Sequence, residues 1–300
     1  MALQRIQEIR PLIPARAFLK WAGGKGQLLK QLEPLFPAAA DIRRYHEPFL
    51  GSAAVYLYLF NEGWIQPSQA CLQDLNPALI CAWSSIRDEP QALIDRLQIL
   101  ENAYDPGDPA TYYVNRERFN ALRGVQSLEA ASLLIALNRT CFNGLYRVNS
   151  SGKFNVPVGR YSNPRILDEA NVWAVHTALQ GTVLEHTGFS ATLEAAASGD
   201  FVYFDPPYEP LSRTSTFRNY SKEGFSQDHQ RELAEIFEAL TEKGVKCMLS
   251  NSVAPFILEL YEALEKKHAN IVLHRVQARR SISAAAGSRA AVDELVITNY

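Results

Sequence analysis

Two patterns alternate along the chain: short apolar runs of strand length, and longer stretches with apolar residues at helical spacing. Tyr45 to Phe49, Ala70 to Asp74, Thr182 to His186, Phe201 to Asp205 and Val245 to Ser250 read as strands, and Ile271 to Val276 and Leu295 to Asn299 complete the set. Helical patterns follow them at Ala53 to Asn61, at a helix opened by Pro77, and at Gln227 to Lys243 behind a capping Ser226. Strands alternating with helices predict an α/β fold with a doubly wound, mixed sheet. The alternation is interrupted once. Helical patterns at Pro90 to Ala103, Thr111 to Leu122 and Leu128 to Leu137 lead into a Gly- and Asn-rich stretch from Asn138 to Asn163 before strands resume. The expected organisation is a short N-terminal extension over residues 1–15, a sheet domain formed by 16–90 and 181–300, and an inserted, mainly helical domain over 91–180.

Composition narrows the classes open to this fold. With 47% hydrophobic residues and a net charge of -2 in 300 residues, the chain can bury a core, which excludes disorder as its main state. The longest apolar run, near Leu133 to Leu137, is far short of the roughly 20 residues that span a bilayer. The first sixteen residues mix charges and prolines where a signal peptide needs an apolar stretch. Cys71, Cys81, Cys141 and Cys247 are scattered without metal-ligand spacing, and the six histidines form no ligand set either. These features point to the cytoplasm, free thiols, no metal and a monomer.

The near-neutral total hides an asymmetry. Thr111 to Arg165 carries eight basic residues against two acids, a net +6, which leaves the rest of the chain at -8. Arg275 to Arg289 adds four arginines and no acid. Basic segments on an otherwise acidic chain fit a localised polyanion-binding face.

Two constellations carry chemistry. In the first, Glu47-Pro48-Phe49-Leu50-Gly51 joins a strand to a helix, and the next strand ends at Asp74. Ligands of such sheets bind at the carboxyl ends of the strands; a glycine there admits close backbone approach, and an acid about 20 residues on can hold ribose hydroxyls. Ala53 and Ala54 stand where a dinucleotide fingerprint has glycines, which suits a nucleoside cofactor without a pyrophosphate. The second is Asp205-Pro206-Pro207-Tyr208, directly after an apolar strand. Two prolines hold the chain extended and fix the directions of the Asp205 carboxylate and the Pro206 carbonyl. Both accept hydrogen bonds, so together they can take both hydrogens of an exocyclic amino group, while Tyr208 offers a face on which a flipped base can stack.

These residues resemble the DNA adenine-N6 methyltransferases in which the cofactor motif precedes the insertion. Phe18-Leu19-Lys20-Trp21-Ala22-Gly23-Gly24-Lys25 looks like that family's N-terminal motif, Glu47 to Tyr56 its cofactor loop, Asp74-Leu75-Asn76-Pro77 its ribose-binding acid, and Asp205 to Tyr208 its catalytic loop. Arg279-Arg280-Ser281-Ile282-Ser283 with Val292-Asp293-Glu294-Leu295 looks like its C-terminal block. In the insertion, Leu137-Asn138-Arg139, Phe142 to Arg147 and Phe154 to Tyr161 are similar to the recognition hairpin of the Dam-type enzymes, which methylate adenine in GATC.

The resemblance implies an S-adenosylmethionine-dependent fold with an inserted DNA-recognition domain, acting on double-stranded DNA. Trp21, Lys25, Phe49, Gly51, Asp74 and Asp205 would hold the cofactor, and Asp205, Pro206, Pro207 and Tyr208 the flipped adenine. Arg147 would read a guanine, Leu145 the adjacent thymine methyl, and Lys20 with Tyr161 the first guanine. Asn143 and Pro157 would also lie against DNA, Arg279 and Arg280 would contact phosphates, and Ser212 to Tyr220 would close over the flipped base. The alternatives are an RNA adenine methyltransferase, a non-catalytic DNA-binding module and a nicotinamide-dependent dehydrogenase, the last lacking the further glycines and leaving Asp205 to Tyr208 unexplained.

Overall fold

A computed structural model describes residues 13–210, 225–279 and 291–300. Seven strands form one sheet: β1 (Tyr45–Glu47), β2 (Ala70–Asp74), β3 (Val183–His186), β4 (Phe201–Phe204), β5 (Lys246–Ser252), β6 (Val272–Arg279) and β7 (Ala291–Thr298). Their order across the sheet is β3-β2-β1-β4-β5-β7-β6. The first five are parallel, and β7 runs antiparallel to both β5 and β6. The mixed sheet expected from the sequence is therefore present, with helices on both faces.

The period of two along each strand builds these faces. Phe201 and Tyr203 enter one buried cluster, while Val202 and Phe204 enter the other. Met248 and Val296 join the first; Cys247, Leu249, Leu295 and Ile297 join the second. The second cluster is closed by α9 (Gln227–Glu242) and α10 (Pro255–Lys267), through Leu233, Phe237, Leu240, Ile257 and Tyr261. The first is closed by α2 (Ala54–Asn61) and α3 (Pro77–Asp88). Behind them lie α4 (Pro90–Asn102), α5 (Ala110–Ala121), α6 (Leu128–Thr140) and α7 (Glu169–Leu179). Leu93, Leu97, Tyr112, Leu134 and Val172 of these helices belong to the same buried cluster as Tyr45 and Leu72 of the sheet, so the segment between β2 and β3 shares its core with the sheet face.

Two short helices, α1 (Leu29–Leu32) and α8 (Thr192–Ala195), complete the set among the described residues. The sequence reading omits α1, α7, α8 and α10, starts β7 four residues late, and extends the first strand two residues too far. Beyond α6 the chain forms a narrow hairpin with antiparallel bridges at Cys141–Val158 and Val148–Phe154. The chain leaves β1 toward β2 and β3 on one side and β4 toward β5 on the other, which opens a crevice at the carboxyl ends of β1 and β4.

Candidate active site and recognition surface

On one side of this crevice the β1–α2 turn is shaped by backbone conformation and by Asp74. Gly51 adopts φ 47° and Ala53 φ 53°, both left-handed. Any side chain at Gly51 would place its Cβ 3.0 Å from Trp21 Cδ1, so the glycine lets the indole lie against the loop. The Gly51 N–H donates to Asp74 Oδ2 (3.0 Å), the Asn76 N–H donates to Asp74 Oδ1 (2.8 Å), and Trp83 Nε1 donates to the Gly51 carbonyl (3.2 Å). Burial raises the Asp74 carboxyl above its usual range, opposed by these backbone donors. Asn76 in turn caps α3, accepting from the Ala78 and Leu79 N–H groups.

Trp21 also stacks on Tyr146 at 5.3 Å, and Phe49 stacks on Phe189 at 5.4 Å. An acid anchored by backbone at the end of β2, a turn held open by glycine and flanking aromatic faces fit a nucleoside-bearing cofactor. Ala53, left-handed like Gly51, is fully buried and turns its methyl into the core.

The other side of the crevice carries Asp205 to Tyr208 at the end of β4. Lys25 is 3% exposed, and its Nζ lies 2.6 and 2.8 Å from the two Asp205 carboxylate oxygens and 2.7 Å from the Gly23 carbonyl. The same nitrogen sits 4.8 Å from the centre of the Tyr208 ring. Lys25, expected against the cofactor, therefore bonds the expected catalytic carboxylate. Burial pushes the Asp205 carboxyl up to about 6, with Lys25 pulling it down and Glu294 pushing it up.

The loop is tied on three sides. Tyr208 Oη donates to Glu294 on β7 (2.7 Å), Gln230 on α9 donates to the Pro207 carbonyl (3.1 Å), and Ser252 on β5 donates to the Glu209 carbonyl (2.7 Å). Behind it, Glu47 is 3% exposed, accepts from Tyr45 Oη (2.7 Å) and the Tyr56 N–H (3.2 Å) through one oxygen, and is raised to about 8 by burial.

At the hairpin, Lys20 Nζ lies 3.3 Å from Tyr161 Oη and 4.4 Å from the centre of its ring, so the two residues paired from the sequence are neighbours. Arg147 is exposed and braced by Asn155, its Nε donating to Oδ1 (2.8 Å) and Nη2 to the carbonyl (3.4 Å). Asn143 (left-handed, φ 55°) and Pro157 are exposed and Leu145 half-buried; the Phe142 N–H donates to the Pro157 carbonyl (2.9 Å), tying the two arms of the hairpin together. Arg279 ends β6, whereas Arg280 and the Ser212 to Tyr220 segment lie outside the described residues. Away from the crevice, ligand-type atoms of Glu238, Glu242 and His268 lie within 4.8 Å of one another. Glu238 already pairs there with Lys267 and His268.

Sequence reasoning missed Gln230 and the roles of Glu47, Glu294 and Asn138. The one local signal was a charge or amide set within or beside an apolar run, as Glu294 is before Leu295-Val296-Ile297 and Asn138 after Leu133 to Leu137.

The match to known proteins covers most of this arrangement. The family model for D12 class N6 adenine-specific DNA methyltransferases matches residues 21–282. The chain is 38% identical over 293 residues to the type II methyltransferase M1.LlaDCHI of Lactococcus lactis subsp. cremoris, covering 96% of each chain. It is 37% identical over 295 residues to the type II methyltransferase M.MjaIII of Methanocaldococcus jannaschii, covering 95% of this chain and 99% of that one. To the DNA adenine methylase of Escherichia coli K12 it is 34% identical over 281 residues, 94% of each. With the crevice, its paired carboxylate and a family match over most of its length, the chain belongs to the D12 class N6 adenine-specific DNA methyltransferases, enzymes that methylate adenine in DNA with S-adenosylmethionine as donor.

Proposed function

We propose that the enzyme methylates an adenine flipped out of double-stranded DNA within GATC, with Asp205 to Tyr208 holding the base, residues 16–90 and 181–300 carrying the chemistry and residues 91–180 reading the sequence. The observation that carries the reading is the position of Asp205: a carboxylate at the carboxyl end of β4, on the crevice where the sheet reverses order, fixed by Lys25 and beside an aromatic ring anchored from behind by Glu294.

S-adenosylmethionine supplies an already activated methyl group. Trp21, Phe49, Gly51 and Asp74 are the residues to hold it, Asp74 at the ribose. The chain's remaining work is positioning and charge stabilisation. Asp205 and the Pro206 carbonyl accept the two N6 hydrogens, which turns the nitrogen lone pair out of conjugation. Tyr208 stacks on the base. The proton released from N6 passes from the Asp205 side to water.

Recognition follows from the hairpin. The fork of Arg147, braced by Asn155, suits O6 and N7 of a guanine, Leu145 suits a thymine methyl, and Lys20 beside Tyr161 suits the first guanine. Methylation of plasmid DNA followed by mapping of N6-methyladenine tests both levels. Marks confined to GATC, and lost in Asp205→Ala, are expected; marks at other sequences would overturn the recognition while leaving the chemistry, and near-normal transfer by Asp205→Ala would overturn the chemistry.

A further inference from the structure

Lys20 lies in no regular element, yet both polar groups of its backbone are held by one side chain. The Lys20 N–H donates to Asn138 Oδ1 (2.8 Å), and Asn138 Nδ2 donates back to the Lys20 carbonyl (2.8 Å) and to the Gly144 carbonyl (2.9 Å). Asn138 is 1% exposed, on the last turn of α6, and both its amide hydrogens are used. Gly144, in the short turn near the base of the hairpin, has φ +64°, and a Cβ there would lie 2.6 Å from Lys20 Cβ and 2.5 Å from Lys20 Cδ. One residue therefore fixes the Lys20 backbone, and the other leaves the space in which the Lys20 stem runs toward Tyr161. The Tyr161 end is anchored independently, its carbonyl accepting from Tyr104 Oη (3.0 Å).

We infer that Asn138 and Gly144 are positioning residues for sequence discrimination: they set where the Lys20 amino group meets its base relative to the hairpin that carries Leu145 and Arg147. The inference rests on the reading of Lys20 as a base contact. Buried amides stripped of partners are costly, so Asn138→Ala frees the Lys20 backbone. Gly144→Ala drives the Lys20 stem aside while leaving the Asn138 side chain in place, and adds the strain of a left-handed alanine. Neither residue reaches the crevice of Asp205.

The test compares kcat/KM on a GATC duplex with that on duplexes altered at the first base pair or at the pair read by Arg147, for wild type, Lys20→Met, Asn138→Ala, Gly144→Ala and the Lys20→Met/Gly144→Ala double variant. Lys20→Met is expected to reduce discrimination at the first pair about tenfold, within the usual range for one direct contact. Asn138→Ala and Gly144→Ala are expected to reduce it comparably, with discrimination at the Arg147 position kept, and Gly144→Ala is expected to add nothing in the Lys20→Met background. Preserved discrimination in Gly144→Ala while Lys20→Met relaxes would overturn the inference alone. So would an equal loss at both positions, which signals general loosening of the hairpin. Unchanged discrimination in Lys20→Met would overturn the reading of Lys20 itself, and the inference with it.

Discussion

Asp205 is pulled in opposite directions by its surroundings. Burial and Glu294 raise its carboxyl to about 6, and Lys25, bonded to both oxygens, restrains the rise. On the proposed role as acceptor for the N6 hydrogens it must be ionised, so kcat/KM is expected to fall about tenfold per pH unit below pH 6. Removing the restraint in Lys25→Met should move that acidic limb to higher pH when measured at saturating cofactor; an unmoved limb would show that another group titrates. Glu47 has the same sign and a larger displacement, from 4.5 to about 8. A carboxyl raised by folding binds its proton more tightly in the native state. Its contribution to stability is therefore complete below about pH 4.5 and is lost progressively as pH rises through 8. Gln mimics the protonated acid, so Glu47→Gln should flatten the decline of unfolding free energy between pH 5 and 8, by about 3–4 kcal/mol. Ala53 shows a different balance. Its left-handed backbone costs about 1–2 kcal/mol, while its buried methyl and smaller unfolded-state entropy return a similar sum, which explains how alanine is tolerated at a position that favours glycine.

The loop that begins at Asp205 borrows its rigidity from three elements, α9 through Gln230, β5 through Ser252 and β7 through Glu294. Stacking of a base on an aromatic ring is worth about 1–3 kcal/mol, so Tyr208→Ala should lower kcat/KM by one to two orders of magnitude. Tyr208→Phe keeps the ring and removes the bond to Glu294, and should cost less; equal reductions in the two variants would place the function in the hydroxyl rather than the face. What is legible in the sequence at this scale is local. Phe201 to Phe204 ahead of two prolines, or Gly51 with Asp74 at the next strand end, carry their geometry within a few neighbours and within a fixed connection. Helix α10 escapes the periodicity because only Val253 and Ala254 separate it from β5, and β7 reads short because Asp293 and Glu294 interrupt its apolar pattern. Glu294 meets Tyr208 across 86 positions and Asn138 meets Lys20 across 118, pairings that no local periodicity encodes.

Across the whole molecule, charge is unevenly distributed, and an acidic body carries a segment of net +6 between β2 and β3. Lys153 and Arg160 are exposed in it. If they meet phosphates, the Lys153→Ala/Arg160→Ala variant should reduce the slope of log affinity against log salt by about 0.9 for each phosphate no longer neutralised, with preference among sequences unchanged. An unaltered slope would remove them from the DNA path. The placement of β7 bears on how the enzyme is made. It lies between β5 and β6, both of which precede it in the chain, so the sheet cannot be zipped together in the order of synthesis. A nascent chain halted before residue 291 has β5 with a bare edge and Tyr208 without its anchor. Closure of the sheet and the anchoring of Tyr208 therefore wait until translation has passed almost every other part of the fold.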